Sequence, residues 1–396
     1  MSNLLFVKLK DCCDVVGGST PKRNNPEYWG DDIPWVTPKD ISSLESPFLD
    51  DTPEYISEKG YKSCSTYLLP KNAILLTSRA PIGNVAIAGK EMCTNQGFKS
   101  LIPHKSVDFL YLYYCIKYLS PKIQALGNGA TFKEVSKKVV EDFKIPLPSL
   151  QEQKRIAAIL DKADAVRRKR QQSIELSEQL LRSVFLDMFG DPISNPKNWK
   201  KIKLGVLCNI YRGGSPRPIQ QYLGGTIPWI KIGDATKSDD IYLTSTKEKI
   251  IESGLSKTRL LQPGSLIFAN CGVSLGFARI LKIEGCIHDG WLAFDIKDSQ
   301  LNQLFLLKAL NQITKYFQGI APDGTQPNLN TEIMKNFELI IPPIELQNKF
   351  EDIVSRVSGI KQSLVNAFDL ANNSFNSLMD KAFKGELSKQ LEKELA

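Results

Sequence analysis

The run Ile33-Pro34-Trp35-Val36 recurs 194 residues later as Ile227-Pro228-Trp229-Ile230. Matches continue on both sides of this pair at nearly the same offset. Asp40 answers Asp234 and Gly60 answers Gly254 at 194, while Ile82-Gly83 answers Leu275-Gly276 at 193. Cys93-Thr94-Asn95-Gln96-Gly97 returns as Cys286-Ile287-His288-Asp289-Gly290, again at 193. Upstream, Gly17-Gly18-Ser19 answers Gly213-Gly214-Ser215 at 196; downstream, Phe143 and Gln153 answer Phe337 and Gln347 at 194. An offset held within three residues across the chain marks a tandem duplication of a unit about half the chain long.

Each unit has two parts of different character. Residues 1–148 and 191–342 are rich in Gly, Pro and short apolar runs. Ala73-Ile74-Leu75-Leu76 and Ser265-Leu266-Ile267-Phe268 each follow a Pro-led turn and read as short strands. One helix is expected within each set, over 107–119 and 301–317. The expected class is α+β, with two similar globular domains separated by two long helices.

The helices come from the second parts. From Ser149 to Phe189 there is no Gly or Pro, and Ser149-Leu150-Gln151-Glu152 reads as a capping box. At ~1.5 Å per residue the stretch reaches about 60 Å. Heptad spacing puts Ile156, Ile159, Leu160, Ala163 and Val184 on a pairing stripe, with Val166, Ile174, Leu180, Leu181 and Met188 beside them. The second helix offers Phe350, Val357, Leu364, Ala371 and Leu378, supported by Ile353, Val354, Ile360, Ala367, Phe368 and Phe375. A stripe this long argues for helix–helix pairing, and an antiparallel coiled coil holding the two domains apart is expected. The expected division is a first domain at 1–148, a helix at 149–190, a second domain at 191–342, a helix at 343–386 and a tail at 387–396.

Composition bounds the function. The 396 residues carry 51 Lys+Arg against 43 Asp+Glu, a net charge of +8, with 42% apolar and 24% charged residues, as in a globular protein. No apolar run reaches the ~18 residues of a membrane span, and no secretory signal opens the chain, so a cytoplasmic location without membrane contact is expected. The eight cysteines include no C-x-x-C pair and are accompanied by two histidines, which argues for buried, reduced thiols and against a metal site.

Catalytic patterns are missing. There is no G-x-x-x-x-G-K-[ST] phosphate loop. Gly127-Asn128-Gly129 follows a predicted helix where a nucleotide-binding turn would follow a strand. Asn195-Pro196-Lys197-Asn198-Trp199 echoes an amino-methyltransferase motif but lacks its second Pro, and reads as a linker turn. Asp50 or Asp51 with Glu54 or Glu58-Lys59 are the candidates for a nuclease core, but such acid clusters usually form solvated loops, and the Asp50-Asp51 pair has no counterpart in the second unit. His104 and His288 have no nucleophile beside them in sequence. Two similar domains without a reaction centre suggest binding done twice.

The basic excess lies mostly in the domains: +2 in residues 1–149, +2 in 150–190, +5 in 191–342 and −1 in the remainder. Candidate DNA-contacting side chains in the first domain are Lys22, Arg23, Asn24, Asn25, Arg79, Asn95, Gln96, Lys99, Thr131 and Lys133. In the second they are Arg212, Arg217, Gln220, Gln221, Asn270, His288, Asp289, Gln326 and Asn328. Arg reads guanine and Asn or Gln adenine through paired hydrogen bonds, while Lys, Ser and Thr hold phosphates.

The run Ile145-Pro146-Leu147-Pro148-Ser149-Leu150-Gln151-Glu152-Gln153-Lys154-Arg155-Ile156 resembles a signature of the specificity (S) subunits of type I restriction–modification systems. So do Phe185-Leu186-Asp187-Met188-Phe189-Gly190-Asp191-Pro192 and the Gly-Gly-Ser, Ile-Pro-Trp and Asn-Gln-Gly elements. The resemblance spans essentially the whole chain. The second copy departs at His288-Asp289, which suggests that the halves read different bases, and at Leu346-Gln347-Asn348-Lys349-Phe350. The resemblance implies a non-catalytic subunit that reads a bipartite, asymmetric site in double-stranded DNA, one half per target-recognition domain, with the helices as a ruler. It also implies two methyltransferase (M) subunits and restriction (R) subunits as partners. S-adenosylmethionine, ATP and Mg are then expected only in those partners, with no cofactor or metal on this chain. The competing reading is a coiled-coil scaffold joining two protein-binding domains without nucleic acid.

Overall fold

Short apolar runs broken by turn residues fold into the same three sheets in each half of the chain. In the computed structural model the described residues are 5–42, 44–128, 133–236, 241–272, 274–321 and 328–387. The first domain's main sheet has the order Cys13–Gly17, Lys99–Pro103, Ile74–Leu76, Val85–Ala88, Phe48–Leu49. The second domain repeats it as Cys208–Arg212, Trp291–Ile296, Leu266–Ala269, Ala278–Leu281, Tyr242–Leu243. In both, neighbours run antiparallel except the last pair, which is parallel.

A second sheet centres on the Ile-Pro-Trp strand. Trp29–Val36 lies between Tyr55–Ile56 and Cys93–Thr94, and Leu223–Ile230 between Glu248–Ile250 and Gly285–Ile287, with Arg259–Leu261 added at the edge. A two-stranded ribbon completes each domain: Phe6–Lys8 with Lys144–Pro146, and Lys200–Lys203 with Glu338–Ile341. The repeat partners Phe143 and Phe337 play one role, their carbonyls accepting from the Leu9 and Leu204 N–H groups, each at 2.9 Å.

The domain helix differs between the copies. Phe109–Ala125 is continuous. Its counterpart, expected as one helix, breaks at Ile313 into Gln303–Gln312 and Thr314–Ile320. The Asn311 Oδ1 accepts from the Ala278 N–H at 2.6 Å and the Thr314 hydroxyl donates to the Gly276 carbonyl at 2.7 Å, so side chains at the break bond to the sheet-side loop.

The long helices are Leu150–Phe189 and Ile344–Phe383, 40 residues each. Ser149 Oγ caps the first by accepting from the Glu152 N–H at 3.4 Å. Gly190, at φ +78°, ends it, its N–H bonded to the Leu186 carbonyl at 2.8 Å.

The chain divides into two compact units, Met1–Ser173 with Leu364–Ala396, and Ile174–Ser363. Each unit therefore takes part of each long helix. In the first, Ile156, Ala157 and Leu160 share a core with Phe375, Met379, Ala382 and Phe383. In the second, Leu181, Phe185 and Phe189 share a core with Phe350, Val354 and Val357. The start of one helix meets the end of the other, so the pair is antiparallel. Of the other expected pairing positions, Ile159, Ala163, Val184 and Leu378 pack at the margins of these cores, and Leu364 and Ala371 are half-buried. Val166, Leu180 and Ile360, expected beside the stripe, are exposed by 47%, 52% and 58%. A helix with 3.6 residues per turn drifts about 20° per heptad from a 3.5 repeat, which carries such positions off the contact face. Asp164 is buried instead, ion-paired to Arg167 at 2.7 Å and to Arg168 at 3.1 Å.

One buried amide ties each long helix to its own domain. Gln153 Oε1 accepts from the Asp108 N–H at 2.9 Å, and Nε2 donates to the Ser106 and Pro148 carbonyls at 3.1 and 2.9 Å. Gln347 repeats this with the Asn302 N–H at 2.9 Å and the Gln300 and Pro342 carbonyls at 2.9 and 2.7 Å. Gln153→Leu should strand the Asp108 N–H and two carbonyls, costing about 1–3 kcal/mol or more in a urea titration. A loss near zero would mean that water substitutes for the amide.

Candidate nucleic-acid interface

Three sequence elements far apart along the chain converge in each domain. Trp35 pairs in register with Cys93 and Val36 with Thr94, and likewise Trp229 with Cys286 and Ile230 with Ile287. This sets the end of the Ile-Pro-Trp strand beside the turn at Asn95-Gln96-Gly97 or His288-Asp289-Gly290. The Gly-Gly loop crosses the same point, with Ser19 N–H bonded to the Thr94 carbonyl at 3.0 Å and Gly214 N–H to the Ile287 carbonyl at 3.1 Å. A Cβ on Gly18 would lie 2.2 Å from the Thr94 and Asn95 carbonyl oxygens, and one on Gly213 2.2 Å from that of His288, so both positions require glycine.

These contacts correct the repeat register. Gly18, not Gly17, corresponds to Gly213, an offset of 195, and Thr20 therefore corresponds to Ser215. The two hydroxyls do the same thing. Thr20 bonds to Gln96 Oε1, and Ser215 donates to Asp289 Oδ1 at 2.7 Å.

In the first domain the cations are largely neutralised locally. Arg23 makes a two-pronged bond to Glu54 at 2.5 and 3.0 Å and lies over the Trp29 and Trp35 rings at 4.0 and 4.7 Å. The Arg23 hydrogen bond outweighs partial burial and holds Glu54 below the usual carboxylate range. Arg79 and Lys99 converge on Glu134 at 2.9 and 3.3 Å. Burial opposes the charged form of Glu134, but these two partners win and its pKa falls below the ordinary 4.5. A carboxyl depressed on folding stabilises above its unfolded pKa and loses that contribution as pH falls through the folded one. Glu134→Gln should therefore flatten the decline of the first unit's urea midpoint below about pH 4.5; an unchanged slope would show that the pair contributes nothing.

Asn95 Oδ1 accepts from the Gly97 N–H at 2.8 Å and Asn25 Oδ1 from the Glu27 N–H at 3.1 Å, so both brace turns. Lys22, Asn24, Gln96 and Lys133 are exposed. Thr131 and Gln326 lie outside the described residues.

In the second domain Arg212 Nε donates to the Asp289 carbonyl at 3.0 Å, and Arg217 stands 3.7 Å from its carboxylate. His288 Nδ1 accepts from the Gly290 N–H at 2.9 Å, and its ring lies 5.6 Å from that of Trp229. Burial pushes the His288 pKa down. Gln220 and Gln221 are exposed on the short turn Ile219–Gln221. Asn270, expected at the surface, is fully buried: Nδ2 donates to Asn328 Oδ1 at 3.0 Å and its carbonyl accepts from the Leu329 N–H at 2.8 Å. It is a strut of the loop: its backbone bonds to Gly290 and Leu329 and its side-chain Nδ2 to Asn328.

Sequence reasoning missed Lys257 and Arg259. Lys257 bonds to the Tyr222 hydroxyl at 2.6 Å, and Arg259 lies over the Tyr211 ring at 4.6 Å with its Nε 3.4 Å from the Arg212 carbonyl. The pairing of Arg259 with Ile287 and the approach of the Lys257 carbonyl to Gly214 bring them beside the Gly-Gly loop, non-local contacts that no sequence pattern signals.

The catalytic candidates form ordinary structure. Asp51 is held at about 2 by Tyr55, Lys90 and the Thr52 N–H; Glu54 serves Arg23, and Glu58 pairs with Lys62 at 3.4 Å. Asn195 Oδ1 accepts from the Trp199 N–H at 2.9 Å, closing the linker turn. All eight cysteines are free thiols, and burial pushes Cys93 and Cys208 up to about 12. Among the described residues no group of three His, Cys, Asp or Glu side chains could hold a metal ion, and no helix is long and apolar enough to cross a membrane.

A glycine-dependent loop cluster built once in each domain, in a chain with two paired long helices, defines a class, and comparison with known proteins identifies it. The model of the type I restriction modification DNA specificity domain matches twice, at residues 1–176 and 196–367. The chain belongs to the specificity subunit family of type I restriction–modification systems. It is 34% identical over 373 residues to the type I restriction enzyme MjaIX specificity subunit of Methanocaldococcus jannaschii, covering 88% of this chain and 85% of that one. The fold is similar to the S subunit of the type I system from M. genitalium, with TM-score 0.57 and 16% identity over 97% of each chain. It is also similar to a chain from a study of complex assembly and conformational transition in the type I system, with TM-score 0.59 and 19% identity over 96% of this chain and 98% of the other. As a DNA specificity subunit it is the non-catalytic member of its enzyme complex.

Proposed function

We propose that the chain reads a bipartite, asymmetric site in double-stranded DNA, one half per globular domain, in the cytoplasm. The long helices set the length of the unread spacer. Two methyltransferase subunits and the restriction subunits assemble on it and carry S-adenosylmethionine, ATP and Mg. The observation that supports this reading best is the loop cluster itself, built identically twice but presenting Asn95-Gln96 in one domain and His288-Asp289 in the other. Identical scaffolds with different polar side chains suit two recognition events of different specificity.

Exchanging residues 191–342 for those of another family member should change one half-site and leave the other intact. A change in both halves would contradict one domain per half-site. Inserting a heptad into the first long helix should lengthen the spacer and alter neither half-site; an unchanged spacer would sink the ruler.

A further inference from the structure

Positions 96 and 289 are equivalent, and each has one side-chain oxygen held by a hydroxyl of the Gly-Gly loop. We infer that each selects one base, Gln96 an adenine and Asp289 a cytosine, with Thr20 and Ser215 as positioning residues. This deepens the function proposed above and rests on it.

The two side chains offer different hydrogen-bonding faces. Gln96 is exposed, and the Thr20 hydroxyl donates to its Oε1, so the donor Nε2 is not needed for that contact. An amide so held can donate to adenine N7 while its oxygen's second lone pair accepts from N6–H2. Asp289 is an acceptor only. Its Oδ1 takes the Ser215 hydroxyl at 2.7 Å and lies 2.9 Å from His288 Nε2. Because His288 Nδ1 accepts from the Gly290 N–H, the neutral ring carries its proton on Nε2, which places that proton's nitrogen on the side of the Asp289 carboxylate. The Ser215 hydroxyl thus holds Oδ1, while Oδ2 lies 3.7 Å from Arg217 and the side chain is 31% exposed.

The charge state follows from the neighbours. Burial disfavours the carboxylate, but Ser215, His288, Arg212 and Arg217 together keep its pKa below the usual range. An ionised group on a surface that meets phosphates is repelled unless a base edge supplies a donor. Cytosine N4–H2 does so. Adenine N6–H2 is flanked by the N7 acceptor, which repels the second carboxylate oxygen.

The test is selection of a random duplex library by the full-length chain with its co-purified partners, comparing the wild type with Asp289→Asn and Gln96→Glu. Asp289→Asn should shift one position of one half-site from cytosine to adenine, by about tenfold or more in preference, with the other half unchanged. Gln96→Glu should shift adenine to cytosine in the opposite half. Ser215→Ala, which leaves both side chains in place, should weaken discrimination at the same cytosine. A wild-type motif whose two halves respond to neither variant, or a uniform loss of affinity with the same motif, would overturn the assignment and leave Asp289 as a loop latch. A wild type that enriches no motif would instead overturn the function on which the assignment rests.

Discussion

Phe350→Ala is expected to destabilise the second unit by about 3–5 kcal/mol. Its fully buried ring meets Phe185 and Phe189 edge-on at 5.5 and 5.4 Å, and both of these contact Phe305 of the domain helix, at 5.8 and 4.8 Å. Four rings thus join the start of one long helix, the end of the other and the domain. Truncating the central one removes a large buried area and leaves a cavity that three fixed aromatic rings cannot fill. Calorimetry of the full-length chain should show a fall in the melting of the second unit, with the first unit affected less. A cost below about 1 kcal/mol would show that the rings do not form the junction.

The second large effect concerns DNA. Replacing Arg212, Arg217 and Arg259 together by Gln should reduce the salt dependence of duplex binding by about 0.9 for each phosphate no longer neutralised, hence by roughly two to three in the slope of log K against log salt. Arg23→Gln should change it little, because Glu54 already neutralises that guanidinium. The contrast follows from local pairing. Arg23, Arg79 and Lys99 all sit on carboxylates, whereas Arg212 and Arg217 share the single acid Asp289 and Arg259 lies over the Tyr211 ring. Equal effects from the two substitutions, measured by fluorescence anisotropy across a salt series, would contradict this division of charge.

Much of the fold was legible because the duplication repeats its constraints. Ile-Pro-Trp, the Cys-to-Gly turn and Gln153 with Gln347 recur at spacings of 193 or 194, and each pair proves to do one job. The antiparallel helix pair was legible from its apolar ends, Ile156 with Leu160 and Phe350 with Val357. The middle was not, since heptad counting assumes a 3.5 repeat that the helices need not keep, and Asp164 is buried where only apolar groups were sought. Within the loop cluster, backbone register decided more than side-chain type. A one-residue shift at Gly18 and Gly213 put Thr20 on Gln96, and no pattern in the sequence distinguishes that alignment from its neighbour. Asn270 looked like a surface reader because Asn reads adenine, but the same amide equally suits a buried brace. Lys257 and Arg259 escaped notice because non-local contacts place them.

The most direct test of the account is the sequence that the assembled complex recognises. Selection of random duplexes by the full-length chain with its co-purified partners, at moderate salt, should yield two short, different half-sites separated by a spacer of fixed length and random sequence. Equal affinity for all duplexes, or a single continuous motif, would contradict one half-site per domain.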